Sequence, residues 1–343
     1  MRANNFGFSR RSFLSRMGAG AFAAVGVVPQ IAGQTAAAGY WSKEYWTQKG
    51  DVRLYLFRKR RAEPKPGEAA LPVLFLVHGS SLSGRSTFDL EGPGIGHYSM
   101  MNAFADYGFD VWTMDFEGYG RSSKTDGNSN IAEGVKDLKA ASDVVMKETG
   151  QSRIHLFGES SGGLRAGAFA MAFPQRVGKL VLAAFTYTGQ GSPTLADRAK
   201  QLDFYRTHNR RPRDREMIRS IFTRDKEGTA DPAVAEVLAN VEMPFGDSVP
   251  TGTYLDMTSN LPVVDPLKVH APVLLVRGEY DGIATEEDLI SFFTKLPNGD
   301  RQLVVLAGMS HAVVLGYNRD QLWHVTRNFL NTPERHDHLD QKQ

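Results

Sequence analysis

The sequence predicts an α/β fold organised around a mostly parallel sheet. Three observations carry that expectation. Apolar runs that are continuous rather than alternating recur at 72–77, 109–114, 154–157, 180–185, 273–276 and 303–306. Strands of that kind are buried on both faces, as in a parallel sheet covered by helices. Stretches of helical period separate several of the runs, which is the order of an α/β chain. The 343 residues are 41% hydrophobic and 23% charged, a globular composition that sets aside disordered and fibrous classes.

The elements follow in chain order. Ser9-Arg10-Arg11-Ser12-Phe13-Leu14 places paired arginines before an apolar, small-residue run over 17–28, and Ala36-Ala37-Ala38 follows. A charged start, an apolar middle and a small-residue cleavage site predict a secretory signal over 1–38. The paired arginines are similar to the twin-arginine type of bacterial export signal, implying a periplasmic or secreted mature chain over 39–343. The run is too short and too rich in Gly and Ala to span a bilayer, and no later stretch approaches spanning length. With 0 cysteines, the chain suits an oxidising compartment and excludes disulfides and a thiol nucleophile.

Residues 40–48 and 51–60 alternate and predict an antiparallel pair turning near Gly50. Pro64-Lys65-Pro66-Gly67 is a link. Helices are predicted over 131–149, 161–173 and about 319–330. From about 187 to 265 no buried-strand run occurs. Helical candidates there are 195–208, 213–222 and 232–241, read as an insertion over the sheet. Phe204, Tyr205, Ile218, Ile221, Phe222, Val237 and Leu238 make that segment too apolar for a disordered linker. The tail over 334–343 is polar.

Charge narrows the partners. With 40 basic and 38 acidic residues the net charge is +2, without the basic excess of a nucleic-acid binder. No His and carboxylate spacing points to a metal, no phosphate loop is present, and no hydride-cofactor fingerprint follows the first strand. The expected partner is a small molecule, with no cofactor and no metal.

Gly158-Glu159-Ser160-Ser161-Gly162 directly follows an apolar strand and opens an Ala-rich helix. A serine hydroxyl is a poor nucleophile and must be held on a sharp turn where a base reaches it. Flanking glycines let neighbouring backbone pass close. His78-Gly79 follows an early strand, and Asp115-Phe116-Glu117-Gly118-Tyr119-Gly120-Arg121-Ser122 the next. On these motifs the mature chain resembles the α/β-hydrolase superfamily along nearly its whole length. The resemblance implies a mostly parallel central sheet flanked by helices, with a helical cap insertion at about 187–265, and the order Ser, acid, His. Asp281, in Arg277-Gly278-Glu279-Tyr280-Asp281-Gly282, fits the acid better than its rival Glu279. His311, in Ala307-Gly308-Met309-Ser310-His311-Ala312, fits the base. Of the other histidines, His78 reads as structural and His155 as a core residue. The oxyanion donors implied are the amides of Ser161 and of Ser80, with Ser81 as substitute for the latter.

The expected function is cleavage of a carboxylic ester through an acyl-enzyme on Ser160. A carbon–carbon bond hydrolase or amidase with the same triad is the alternative. A non-catalytic binder on the same scaffold is the alternative of another class. Cap aromatics such as Tyr187, Phe204, Tyr205, Phe222, Phe245 and Tyr254 read chiefly as packing residues. The arginines between Arg206 and Arg224 read as a solvated helix face in preference to an anion site.

Overall fold

The computed structural model describes residues 39–333. The expected export signal over 1–38 and the polar tail over 334–343 lie outside the described residues. Strands β1 (Trp41–Lys49) and β2 (Val52–Arg60) pair antiparallel around Gly50, whose φ of 57° suits glycine. β3 (Val73–Val77) follows. Next come α1 (Gly84–Phe88), β4 (Asp89–Leu90), β5 (Tyr98–Ser99) and α2 (Met100–Asp106), short elements that the apolar pattern does not announce. β6 (Asp110–Asp115), α3 (Ile131–Thr149), β7 (Ile154–Glu159), α4 (Ser161–Ala172) and β8 (Val177–Ala183) fall where the periodicity places them.

The segment after β8 holds α5 (Pro193–Ala199), α6 (Leu202–Thr207), β9 (Arg210–Pro212), α7 (Arg215–Thr223), α8 (Pro232–Glu242), β10 (Ser248–Pro250) and α9 (Gly252–Ser259). Two expectations are corrected here. The helix read over 195–208 is two short helices, broken at Lys200 and Gln201. The segment also contains a strand pair, β9 with β10, in which Val249 faces Arg211. Three-residue strands ending in proline are too short for a period of two to register. The chain finishes with β11 (Val273–Gly278), α10 (Glu286–Phe293), β12 (Arg301–Leu306) and α11 (Arg319–Asn331).

The main sheet has eight strands in the order β1-β2-β6-β3-β7-β8-β11-β12. From β6 to β12 every pairing is parallel, and the β1–β2 hairpin adds an antiparallel edge. Successive residues of β3 enter separate cores: Leu74 and Leu76 pack on one face, Val73, Phe75 and Val77 on the other. This two-sided burial is why the strand reads as an unbroken apolar run. Fully burying one such side chain contributes roughly 1.5–3 kcal/mol.

Helix boundaries have local causes. Asn130 caps α3 by accepting the Glu133 amide at 2.9 Å, and Gly150 ends it in the left-handed region. Among the described residues no helix is long and apolar enough to cross a membrane.

Strand order places the site. β3 lies between β6 and β7, so the chain leaves β3 toward one side of the sheet and builds the other side from β7 onward. The loops after β3 and β7 therefore flank the crevice at the carboxyl ends of the strands, where open α/β sheets bind ligands.

Candidate active site

Ser160 sits between the end of β7 and the start of α4, with φ 56° and ψ −127°. A non-glycine residue held there costs on the order of 1–3 kcal/mol. The turn is pinned on both sides: the Ser160 amide donates to the Ala183 carbonyl at 2.8 Å, and Gly163 N–H donates to the Ser160 carbonyl at 2.9 Å. The glycines of the motif are steric requirements. A Cβ at Gly162 would stand 2.1 Å from the Val77 carbonyl oxygen, and one at Gly158 2.5 Å from the Gly162 carbonyl oxygen.

The turn projects the Ser160 hydroxyl to 2.8 Å from His311 Nε2, and His311 Nδ1 lies 2.9 Å from Asp281 Oδ1. Asp281 also accepts the amides of Ile283 at 2.8 Å and Ala284 at 3.2 Å, which holds its carboxylate in place. Asp281 and His311 are buried. An ionised Asp281 makes Nδ1 the donor and leaves Nε2 free to accept the serine proton. Glu279, the rival acid, instead accepts the Gly308 amide at 2.7 Å and steadies the loop that leads to His311. Asp225, which no motif singles out, accepts the His311 amide at 3.1 Å and pairs with Arg224.

The two residues expected to supply the oxyanion amides are joined to one another. Ser80 Oγ lies 2.8 Å from Ser161 Oγ and 2.6 Å from Thr253 Oγ1. Thr253, on α9, was not legible as a site residue, since only folding brings it across 173 positions. Gly79 passes so close to Ser160 that an added Cβ would stand 3.1 Å from the serine Cβ. Ser81 meets the overlying segment: its hydroxyl accepts Arg211 and its carbonyl accepts Arg213 at 3.2 Å. The Asp115 motif braces the same loop from below, its carboxylate accepting Gly84 N–H at 2.8 Å and Arg121 N–H at 2.9 Å.

His78 is structural in an identifiable way. Its Nδ1 lies 2.7 Å from the Gly79 carbonyl and its Nε2 accepts Phe116 N–H at 3.2 Å. The ring is therefore neutral, with the proton on Nδ1. Burial, and then the charge of Arg165, push it down to about 3. The unfolded chain protonates His78 near 6.5, so below that pH it binds more protons than the folded chain. Stability is then lost as pH falls from about 6.5 toward the folded value, by about 1.4 kcal/mol per pH unit for this group. Urea unfolding of wild type and His78→Asn at pH 7 and pH 5 checks this. The stability gap between them should narrow by about 2 kcal/mol at pH 5; parallel slopes would remove His78 as the source.

A small pocket of about 50 Å³ adjoins the serine, lined by Gly79, Ser80, Glu159, Arg198, Arg224, Tyr254 and His311 among others. As it stands it has room for one or two waters. Burial, and then the charge of Asp281, push Glu159 up to about 8.

The arginines of the segment divide. Arg206 is exposed beside Asp203, while Arg219 pairs with Glu236 at the surface, as a solvated face would. Arg211 and Arg213 are buried, and Arg224 reaches the cavity, against the expectation for the group. Arg198, outside the run from Arg206 to Arg224, reaches it too. Of the segment's aromatics, Tyr187 packs on Phe292 and Tyr205 on Tyr254, while Tyr254 itself faces the cavity. Among the described residues no group of three or more His, Asp or Glu side chains is arranged to hold a metal ion.

This fold, with a serine, a histidine and a carboxylate converging at its crevice, defines a hydrolase of the α/β-hydrolase fold. The chain belongs to the serine aminopeptidase S33 family, whose profile matches residues 95–316, more than half of the chain. Among characterised proteins, it is similar to a 2-hydroxy-6-oxononadienedioate/2-hydroxy-6-oxononatrienedioate hydrolase of Paraburkholderia phymatum. They are 36% identical over 135 residues, which span 37% of this chain and 39% of that protein. Among solved structures, it superposes on a thermophilic esterase from Thermogutta terrifontis with a TM-score of 0.61 at 20% identity, covering 84% of this chain and 98% of that one. A 2-hydroxy-6-oxo-6-phenylhexa-2,4-dienoate hydrolase from a Rhodococcus strain gives a TM-score of 0.60 at 20% identity, covering 85% and 99%. At that identity the two structures speak to fold alone.

Proposed function

We propose that this chain cleaves a carboxylic ester through an acyl-enzyme on Ser160. One observation carries the reading: hydroxyl, imidazole and carboxylate form a single hydrogen-bonded relay of 2.8 and 2.9 Å on a strained turn. In this reading Ser160 Oγ attacks the ester carbonyl carbon as its proton passes to His311 Nε2. Asp281 offsets the imidazolium charge. The carbonyl oxygen becomes an oxyanion facing the amides of Ser80 and Ser161. Ser80 directly follows His78-Gly79, the position that the resemblance implies for the second donor, with Ser81 as its substitute. The tetrahedral adduct collapses, the alkoxide leaves with the proton from His311, and water repeats the sequence to free the acid.

A fluorophosphonate probe tests the nucleophile. Peptide mapping should find the adduct on Ser160 and nowhere else; folded protein that stays unlabelled would favour the non-catalytic binder. A second reading is carbon–carbon bond hydrolysis, supported by the similarity to the Paraburkholderia hydrolase. Parallel rates on acyl esters, anilides and a 2-hydroxy-6-oxo-dienoate separate ester, amide and carbon–carbon cleavage. The ester reading fails if only the dienoate or the anilide turns over. The paired arginines and small-residue site of the leader support a mature enzyme working in the periplasm or outside the cell.

A further inference from the structure

We infer that the cavity beside Ser160 receives a carboxylate of the substrate, held by Arg198, with Arg211 behind it and the Asp225-paired Arg224 beside it. This rests on the hydrolase reading of the site and specifies what that site selects. Arg198 and Arg224 line the cavity that Ser160 and His311 also line. Arg198 Nη1 is sealed from solvent and has no hydrogen-bond partner. Among the described residues neither Arg198 nor Arg211 pairs with a carboxylate. Arg211, 6% exposed, spends one nitrogen on the Ser81 hydroxyl and leaves Nε unpartnered. Both guanidinium groups lie against the Tyr254 ring, at 4.1 and 3.9 Å from its centroid.

The acids nearby do not balance these charges. Asp225 is committed to Arg224, at 2.7 and 3.0 Å. Asp281 is committed to His311. Burial, and then Asp281, push Glu159 up to about 8, which favours its neutral form. Burial alone would raise the Tyr254 phenol, yet Arg198, Arg211 and the Ser81 hydrogen bond, with Arg224, bring it down to about 7. That is the signature of a positive local field. Among the described residues Tyr254 is the one acidic group against both guanidinium groups, and neither the half-buried Arg198 nor the buried Arg211 has a carboxylate partner, an arrangement that native proteins seldom keep. A cleft lined by one sign of charge concentrates the opposite ion. A planar carboxylate matches the guanidinium fork through two parallel hydrogen bonds, and the space available suits a small group.

The test compares mono-p-nitrophenyl glutarate with p-nitrophenyl valerate, which differ in a terminal carboxylate against a methyl. Wild type should favour the glutarate ester in kcat/KM by about tenfold or more, and Arg198→Gln should erase that ratio, chiefly through KM. Arg198→Lys should restore part of it. Should Arg198→Gln fail to fold, Arg198→Met keeps the packing against Tyr254 and gives the same ratio test. Calorimetric binding of glutarate to Ser160→Ala, with and without Arg198→Gln, reads the site without turnover. Binding that Arg198→Gln weakens about tenfold supports the carboxylate site even if neither ester is cleaved, a result that would fell only the ester reading. A wild type that cleaves both esters alike, or glutarate binding indifferent to Arg198, overturns the inference while leaving the hydrolase intact.

Discussion

Ser160→Ala is expected to lower kcat by about 10⁴-fold or more while leaving the thermal unfolding midpoint nearly unchanged. The hydroxyl is the atom placed 2.8 Å from His311 Nε2, and alanine offers nothing to attack a carbonyl. The residual rate would come from the oxyanion amides and from binding. Stability should hold because the lost atom bonds only the histidine, and alanine inherits the same turn with the same backbone partners, the carbonyl of Ala183 and the amide of Gly163. His311→Ala should cost a similar factor, and the double variant little more than either single one, because the two groups act as a unit. Initial rates on the best ester, with circular dichroism melts of each variant, check this. A purified, folded Ser160→Ala with wild-type turnover would falsify the nucleophile assignment.

Arg213→Ala is expected to be the most damaging single truncation in the segment over the site, costing about 3–5 kcal/mol. Arg213 is 1% exposed and Glu242 0% exposed. Their side chains pair directly, and Arg213 also donates to the carbonyls of Glu242 at 2.8 Å and Gly246 at 2.7 Å. Glu242 in turn accepts the Ser83 amide at 2.7 Å, the Ser83 hydroxyl at 2.6 Å and the Ser86 hydroxyl. Removing the arginine leaves a carboxylate buried without its counter-charge, the costly half of a broken pair. For a chain of this size the melting midpoint should drop by about 10 °C. The double substitution Arg213→Met with Glu242→Leu should lose less than the single one, since it strands no charge. The fraction that folds should also turn over more slowly, because Arg213 holds the carbonyl of Ser81, the residue that follows Ser80. An Arg213→Ala melt matching wild type would show that the network anchors nothing.

Much of this molecule is written locally. The strands β3, β6, β7 and β11 show in the sequence because a strand buried on both faces has no polar side to interrupt it. The turn at Ser160 shows because a backbone passing about as close as contact allows admits only glycine, so sterics leave a motif. Helix α3 shows through its period, its Asn130 cap and its Gly150 stop. With the resemblance to a known superfamily, the same patterns pointed to His311 and Asp281 as the partners of Ser160.

The rest was decided in three dimensions. Elements over 84–106 are too short to carry a period, and β9 and β10 exist as strands only because each meets the other. Thr253 reaches Ser80, and Glu242 reaches Ser83, across more than 150 positions. An arginine on a short helix or strand reads the same whether it faces water or a cavity. Arg198 and Arg211 were therefore indistinguishable from surface residues, while Arg219 was correctly read as one. Burial and charge pairing are properties of what a side chain is folded against, and no spacing along the chain encodes them.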